Sequence, residues 1–119
     1  SRFVAEFAGQ GAFLAGKVVA GGQVATVVGE LASEKQLNLP ADADVDVLLR
    51  PEDVVPDLEG PITTRVLERI FTGANILYRL GLTNGEHLTC LTGSHVDLAV
   101  GRECRVQIAA KHLVVFPRG

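Results

Sequence analysis

The 119-residue chain contains no Met and no Trp, and its aromatic residues are five Phe and one Tyr. A natural chain begins with Met, so the simplest expectation is a piece from the C-terminal part of a longer protein. With so few aromatics, the apolar content falls to Val, Leu, Ala and Ile. Together with 13 Gly, that balance favours an all-β domain. No apolar run approaches the roughly 18 residues that would cross a bilayer, and Ser1-Arg2 does not open a signal peptide. Basic residues are scattered: eight Arg and three Lys form no cluster, and the net charge is -3. Nucleic acid and anionic membrane therefore lack their electrostatic footprint. Cysteine is scarce as well. Cys90 and Cys104 lie in no C-x-x-C or His/Cys cluster, so two buried or half-buried thiols in a reducing cytosol are expected, rather than a disulfide or a zinc site.

What is present reads as short strands. Residues 1–10 place Phe3, Val4 and Phe7 at helical spacing, suited to the last turn of a helix entering the domain. Residues 12–20 read as a strand, Gly21-Gly22 as a hairpin turn, and residues 23–28 as the return strand. Leu31, Leu37 and Leu39 suggest a short strand interrupted by a polar turn at Ser33-Glu34-Lys35-Gln36, and residues 40–44 a loop. In residues 45–54, Val45, Val47 and Leu49 alternate with Asp46 and Leu48, which gives an extended segment with one face buried. Pro51 ends it, because proline lacks the N–H that a continuing ladder needs.

Beyond that, residues 55–59 read as a loop. Residues 62–71 fit a helix through the spacing of Ile62, Val66 and Ile70, but also a strand with those three in phase. Thr63-Thr64 and the turn that follows favour the strand. Residues 76–80 and 87–91 form a hairpin across Asn84-Gly85, the strongest dipeptide for a type I′ turn. After a loop over residues 93–100, residues 103–109 and 112–116 close the set. About eight short strands between Gly, Asn and Pro turns describe a small barrel or a pair of barrel lobes.

Several motifs touch on chemistry and fall short of it. Gly11 to Lys17 match G-x-x-x-x-G-K, but Val18 stands where a phosphate loop needs Ser or Thr, and the segment reads as strand interior. Asp42, Asp44 and Asp46 resemble the start of a calcium loop, but Val47 stands where Gly must make the sharp turn. His87, His95 and His112 are far apart. Ser94, His95 and Asp97 hold the residue types of a hydrolase triad, but such triads assemble from distant segments rather than one loop. No catalytic, cofactor-binding or metal-binding residue is assigned. The remaining candidate is structural: a corner made by Arg50, Pro51 and Glu52, with Arg50 and Glu52 holding it by charge-assisted hydrogen bonds.

Val47 to Asp53, V-L-L-R-P-E-D, resembles the "RPE" strand-to-corner segment of the TOBE domain, the C-terminal accessory domain of ATPase subunits in bacterial ABC importers. Other segments resemble the same family in the same order. Phe3 to Phe7 and Phe13 to Val18 are similar to its hinge. Arg65 to Gly73 and Ile76 to Leu80 are similar to its strand–turn–strand unit. Gly101, Arg105 to Ile108 and Val114 to Phe116 are similar to its closing pair. The resemblance implies OB-like barrel lobes, with residues 1–10 as the hinge from an absent nucleotide-binding domain and residues 45–119 as the core.

It also implies a function. The fragment would be the regulatory and dimerisation domain of an importer's ATP-binding subunit, of the ferric-iron or polyamine type, at the cytoplasmic face of the inner membrane. It would carry no catalysis and no cofactor, since ATP and magnesium would bind the upstream domain. Its partners would be a second copy and, through the parent ATPase, the membrane permease subunits, with room for a small regulatory ligand and no role for nucleic acid. The alternative class is a barrel that senses a small ligand, an oxyanion or a metal.

Overall fold

The computed structural model describes residues 11–20, 22–32, 37–110 and 113–118. The helical turn suggested for residues 1–10 lies outside the described residues, as do Gly21, the polar turn at residues 33–36, and His112. Ten strands are present among the described residues, arranged in two five-stranded antiparallel sheets. The all-β, OB-like expectation holds.

The first sheet is organised by β1 (Ala12–Val19) and β4 (Asp44–Leu49), which pair with Leu14 opposite Val47 and Lys17 opposite Asp44. Leu14, Val18, Val45, Val47 and Leu49 are all buried, as their period-two spacing requires. β2 (Gln23–Thr26) and β3 (Gly29–Ala32) extend the sheet on one side, and β10 (Val114–Pro117) on the other. The strand expected over residues 23–28 is cut short. Val27 and Val28 make the turn instead, because the Thr26 hydroxyl accepts the Val28 N–H at 3.1 Å and donates to the Gly29 carbonyl at 2.9 Å. Gly29 supplies the positive φ that follows. Leu37 and Leu39 lie outside any strand but still pack against the core.

The chain leaves the first sheet through a 3₁₀ turn at Pro51–Asp53 and enters the second as β5 (Val54–Pro56). This short strand replaces the loop expected there. It pairs with β9 (Glu103–Ile108), and Pro56 takes its last position, where a missing N–H is tolerated. β6 (Ile62–Phe71), β7 (Asn75–Gly81) and β8 (His87–Gly93) complete the order β5-β9-β6-β7-β8. The sheet curls until its two edges meet: the Cys90 thiol on β8 donates to the Val54 carbonyl on β5 at 3.1 Å.

Residues 62–71 form a strand, as expected, but its phase breaks. Val66 pairs with Leu80 and Glu68 with Arg79, which leaves Leu67 as a bulge. Before the bulge, Ile62, Thr64 and Val66 face the core. After it, Ile70 is 46% exposed and Phe71 65%. The expected in-phase trio therefore holds for Ile62 and Val66 and fails for Ile70.

Tyr78, wholly buried on β7, pins the loop that follows β8. Its hydroxyl donates to the Val96 carbonyl at 2.8 Å and accepts the Leu98 N–H at 3.0 Å. Tyr78→Phe should leave both loop groups without that partner and cost about 1–3 kcal/mol. In urea unfolding this appears as a lower midpoint with an unchanged slope. A loss below about 0.5 kcal/mol would show that the loop stands without it.

Candidate functional site

Where β2 stops decides the chemistry of the groove between the sheets. Amides alternate in direction along β1. Val18 N–H donates toward the β4 side, to Ala43, so the Lys17 and Ala15 amides point toward β2. Lys17 meets Ala25 and Gly16 meets Thr26, but the chain has turned away by Val27. Ala15 N–H is thus a ladder donor with no strand to receive it, and such a group must find another acceptor.

Glu86 supplies that acceptor from the other sheet. Its Oε2 accepts the Ala15 N–H at 2.8 Å, across 71 residues of sequence. Asn84 Nδ2 donates to Oε1 at 2.7 Å, and Glu86 N–H donates to Asn84 Oδ1 at 2.9 Å. Both carboxylate oxygens therefore face donors. The turn that delivers Glu86 is not the type I′ hairpin expected from Asn84-Gly85. Gly85 N–H bonds to the Leu82 carbonyl and Leu82 N–H to the Glu86 carbonyl, enclosing the three-residue loop Thr83–Gly85. Only Gly85, at φ 90°, takes the left-handed conformation in it. Three-residue hairpins with glycine at that last position are a common alternative to type I′.

Around this contact lies an open depression of about 420 Å³, lined by Ala15, Lys17, Thr26, Asn84, Glu86 and Arg118 among others. Lys17 Nζ lies 3.6 Å from Asp44 Oδ1, an exposed pair. Arg118 Nε lies 3.0 Å from Asp46 Oδ1, whose side chain is only 8% exposed. Glu86 has no ion-pair partner among the described residues. A second depression of about 310 Å³, more apolar, lies between Leu58, Leu98 and Arg105 with Cys104 at its wall.

The residues singled out in the sequence fall elsewhere. Arg50 precedes the 3₁₀ turn, exposed; Pro51 is buried within it; Glu52 is exposed. The corner is closed by Asp53 rather than by Arg50 and Glu52 side chains. Arg50 N–H donates to Asp53 Oδ2 at 3.0 Å, and Asp53 N–H donates to the Arg50 carbonyl at 3.0 Å. This is a capping arrangement, in which a short acceptor side chain satisfies a turn amide. The Gly11–Lys17 motif runs into β1, where a Cβ at Gly16 would fall 2.5 Å from Val24. Asp44 and Asp46 pair with Lys17 and Arg118, and no group of three metal-ligating side chains forms among the described residues. Asp97 is held by Arg69, not by His95 or Ser94. Sequence reading did not pick out Glu86 or Ala15. The available signal was an Asn two residues ahead of an acidic residue at a turn.

A family comparison bears on these placements. The family model of the TOBE domain matches residues 47–116. This chain belongs to the TOBE domain family. The match begins within β4 and runs through the Pro51–Asp53 corner to β10. Among solved structures, the TOBE chain is similar to the cytoplasmic molybdate-binding protein ModG, in a crystal form with molybdate bound. The TM-score is 0.68 and the identity 18%, over 87% of this chain and 94% of that one. At that identity the likeness is one of fold. No curated protein sequence matches the chain.

Both cysteines of this TOBE domain are free and buried. Burial pushes the Cys90 thiol up from an ordinary 9.0 to about 12, with a smaller push from Cys104. Burial also raises Cys104, against a hydrogen bond with Thr64 that lowers it. The thiol form is therefore favoured by folding. Its contribution to stability is complete below pH about 9 and is lost as pH rises toward about 12. Native protein at pH 8 should react with a thiol reagent many-fold more slowly than protein in denaturant, where both cysteines react. Equal rates would mean that the thiols are accessible.

Proposed function

We propose that this TOBE domain is the C-terminal regulatory and dimerisation domain of the ATP-binding subunit of a bacterial ABC solute importer, of the ferric-iron or polyamine type. The observation that carries the reading is the family match across residues 47–116, from the Arg50-Pro51-Glu52 corner to the closing strand. The fragment itself performs no catalysis on this reading. ATP and magnesium belong to an upstream domain, and the membrane permease subunits are reached through it, at the cytoplasmic face of the membrane. The exposed apolar side chains of the outer half of β6 support a self-associating role: Leu67 is 42% exposed, Ile70 46% and Phe71 65%. Side chains of this kind favour burial against a partner.

A second reading is an oxyanion- or metal-sensing barrel. The fold likeness to a molybdate-binding protein favours it, and so does the polar depression around Ala15 N–H.

Sedimentation over a concentration series and calorimetry with molybdate, tungstate, sulfate and ferric citrate separate the two. Reversible dimerisation that Ile70→Glu weakens at least tenfold, with no saturable ligand binding, is expected from the first reading. Tight saturable binding by a monomer would give first place to the second. ATP turnover by the pure chain would end the first reading as stated.

A further inference from the structure

We propose that the Glu86 carboxylate is a tethered anion that closes an anion site built on the Ala15 amide. A small oxyanion or carboxylate would compete with it for that site. The proposal gives the ligand-sensing reading a location and a means of regulation, and it rests on that reading.

The geometry is that of a receptor already holding an anion. Two N–H donors, the Ala15 amide at 2.8 Å and Asn84 Nδ2 at 2.7 Å, converge on the two oxygens of one carboxylate. Such convergent charge-assisted bonds are how proteins hold carboxylates and oxyanions. The Ala15 donor exists because β2 ends one residue too soon to use it, so an acceptor is required there whatever its source. Lys17 and Arg118 line the same depression and offer further donors.

Of the carboxylates in and beside this depression, Asp44 and Asp46 have cationic partners at 3.6 and 3.0 Å. Glu86 is held by hydrogen bonds alone among the described residues. It is therefore the anion that can leave. Its departure exchanges one negative charge for another, so the incoming anion meets a site already suited to its charge. The depression opens to solvent at about 420 Å³, which is roomy enough for a tetrahedral oxyanion beside a displaced side chain. Displacement also breaks a hydrogen bond that ties the β7–β8 hairpin to β1. Ligand binding is thereby coupled to how firmly the two sheets are joined, which gives a regulatory domain something to transmit.

The test follows the Ala15 amide resonance of the ¹⁵N-labelled chain while molybdate, sulfate or acetate is titrated in. Wild type and Glu86→Ala are compared. Glu86→Ala should bind at least tenfold more tightly than wild type, with the Ala15 amide shifting in both, and acetate should raise the melting temperature of the variant more than that of wild type. If Glu86→Ala does not fold, Glu86→Gln replaces it, with a smaller gain expected. If neither folds, a saturable shift of the wild-type Ala15 amide supports the site, and its absence overturns it. Equal affinity in wild type and variant overturns the tethered-anion role. Tight binding that leaves the Ala15 amide unmoved overturns the location while keeping the ligand-sensing reading. No binding by either protein removes both.

Discussion

The structure depends on one interruption, the proline that ends β4. Through residue 49 the strand is locked into the first sheet by β1 on one side and β10 on the other. At Pro51 the ladder has no donor to continue it, and the chain makes a single 3₁₀ turn. Asp53 closes that turn from both ends and then, through its own carbonyl, accepts the Ala109 N–H at 2.7 Å from the far end of β9. One residue after the turn, Val54 is already in the second sheet, and its carbonyl receives the Cys90 thiol that seals the barrel edge. A strand that ran on past Leu49 would leave β9 without β5 and β8 without its closing contact.

The same logic governs the groove between the sheets. Antiparallel ladders satisfy amides only as far as both strands run. β2 ends where the Thr26 hydroxyl closes a turn on the Val28 amide and the Gly29 carbonyl, a side-chain bond that competes with a continuing ladder. That local competition leaves the Ala15 amide to a side chain from the opposite sheet. The polar depression is thus a by-product of a strand end, and Glu86 is the group that makes the strand end tolerable. In a TOBE domain whose two sheets share one continuous core, this contact joins the sheets at the surface as the buried side chains join them within.

Much of the fold was legible because its signals are local. Period-two alternation in Val45, Val47 and Leu49 and the stop at Pro51 are properties of neighbouring residues. The stop appears as read, and the three apolar residues are buried, but the other face is covered too: Asp46 is buried beside Arg118. The misreadings also have local causes. Val27-Val28 has the composition of a strand but makes a turn. Leu67 is an ordinary strand residue by type, and nothing in its neighbours announces that it will bulge and turn Ile70 outward. Asn84-Gly85 marks a hairpin without settling its length, because glycine suits the left-handed position of either loop. At the corner, Arg50 and Glu52 stood out by charge, but the shorter Asp53 side chain reaches the amide.

By itself, the sequence determined the class, the strand that stops at Pro51 and the family resemblance, because these rest on residue type and spacing along the chain. Tertiary structure alone decided which polar groups meet. Ala15 and Glu86 are 71 residues apart, and Arg118 finds Asp46 only because β10 pairs beside β4. No periodicity links such residues. What brings them together is the requirement that polar groups drawn away from water find partners across the fold.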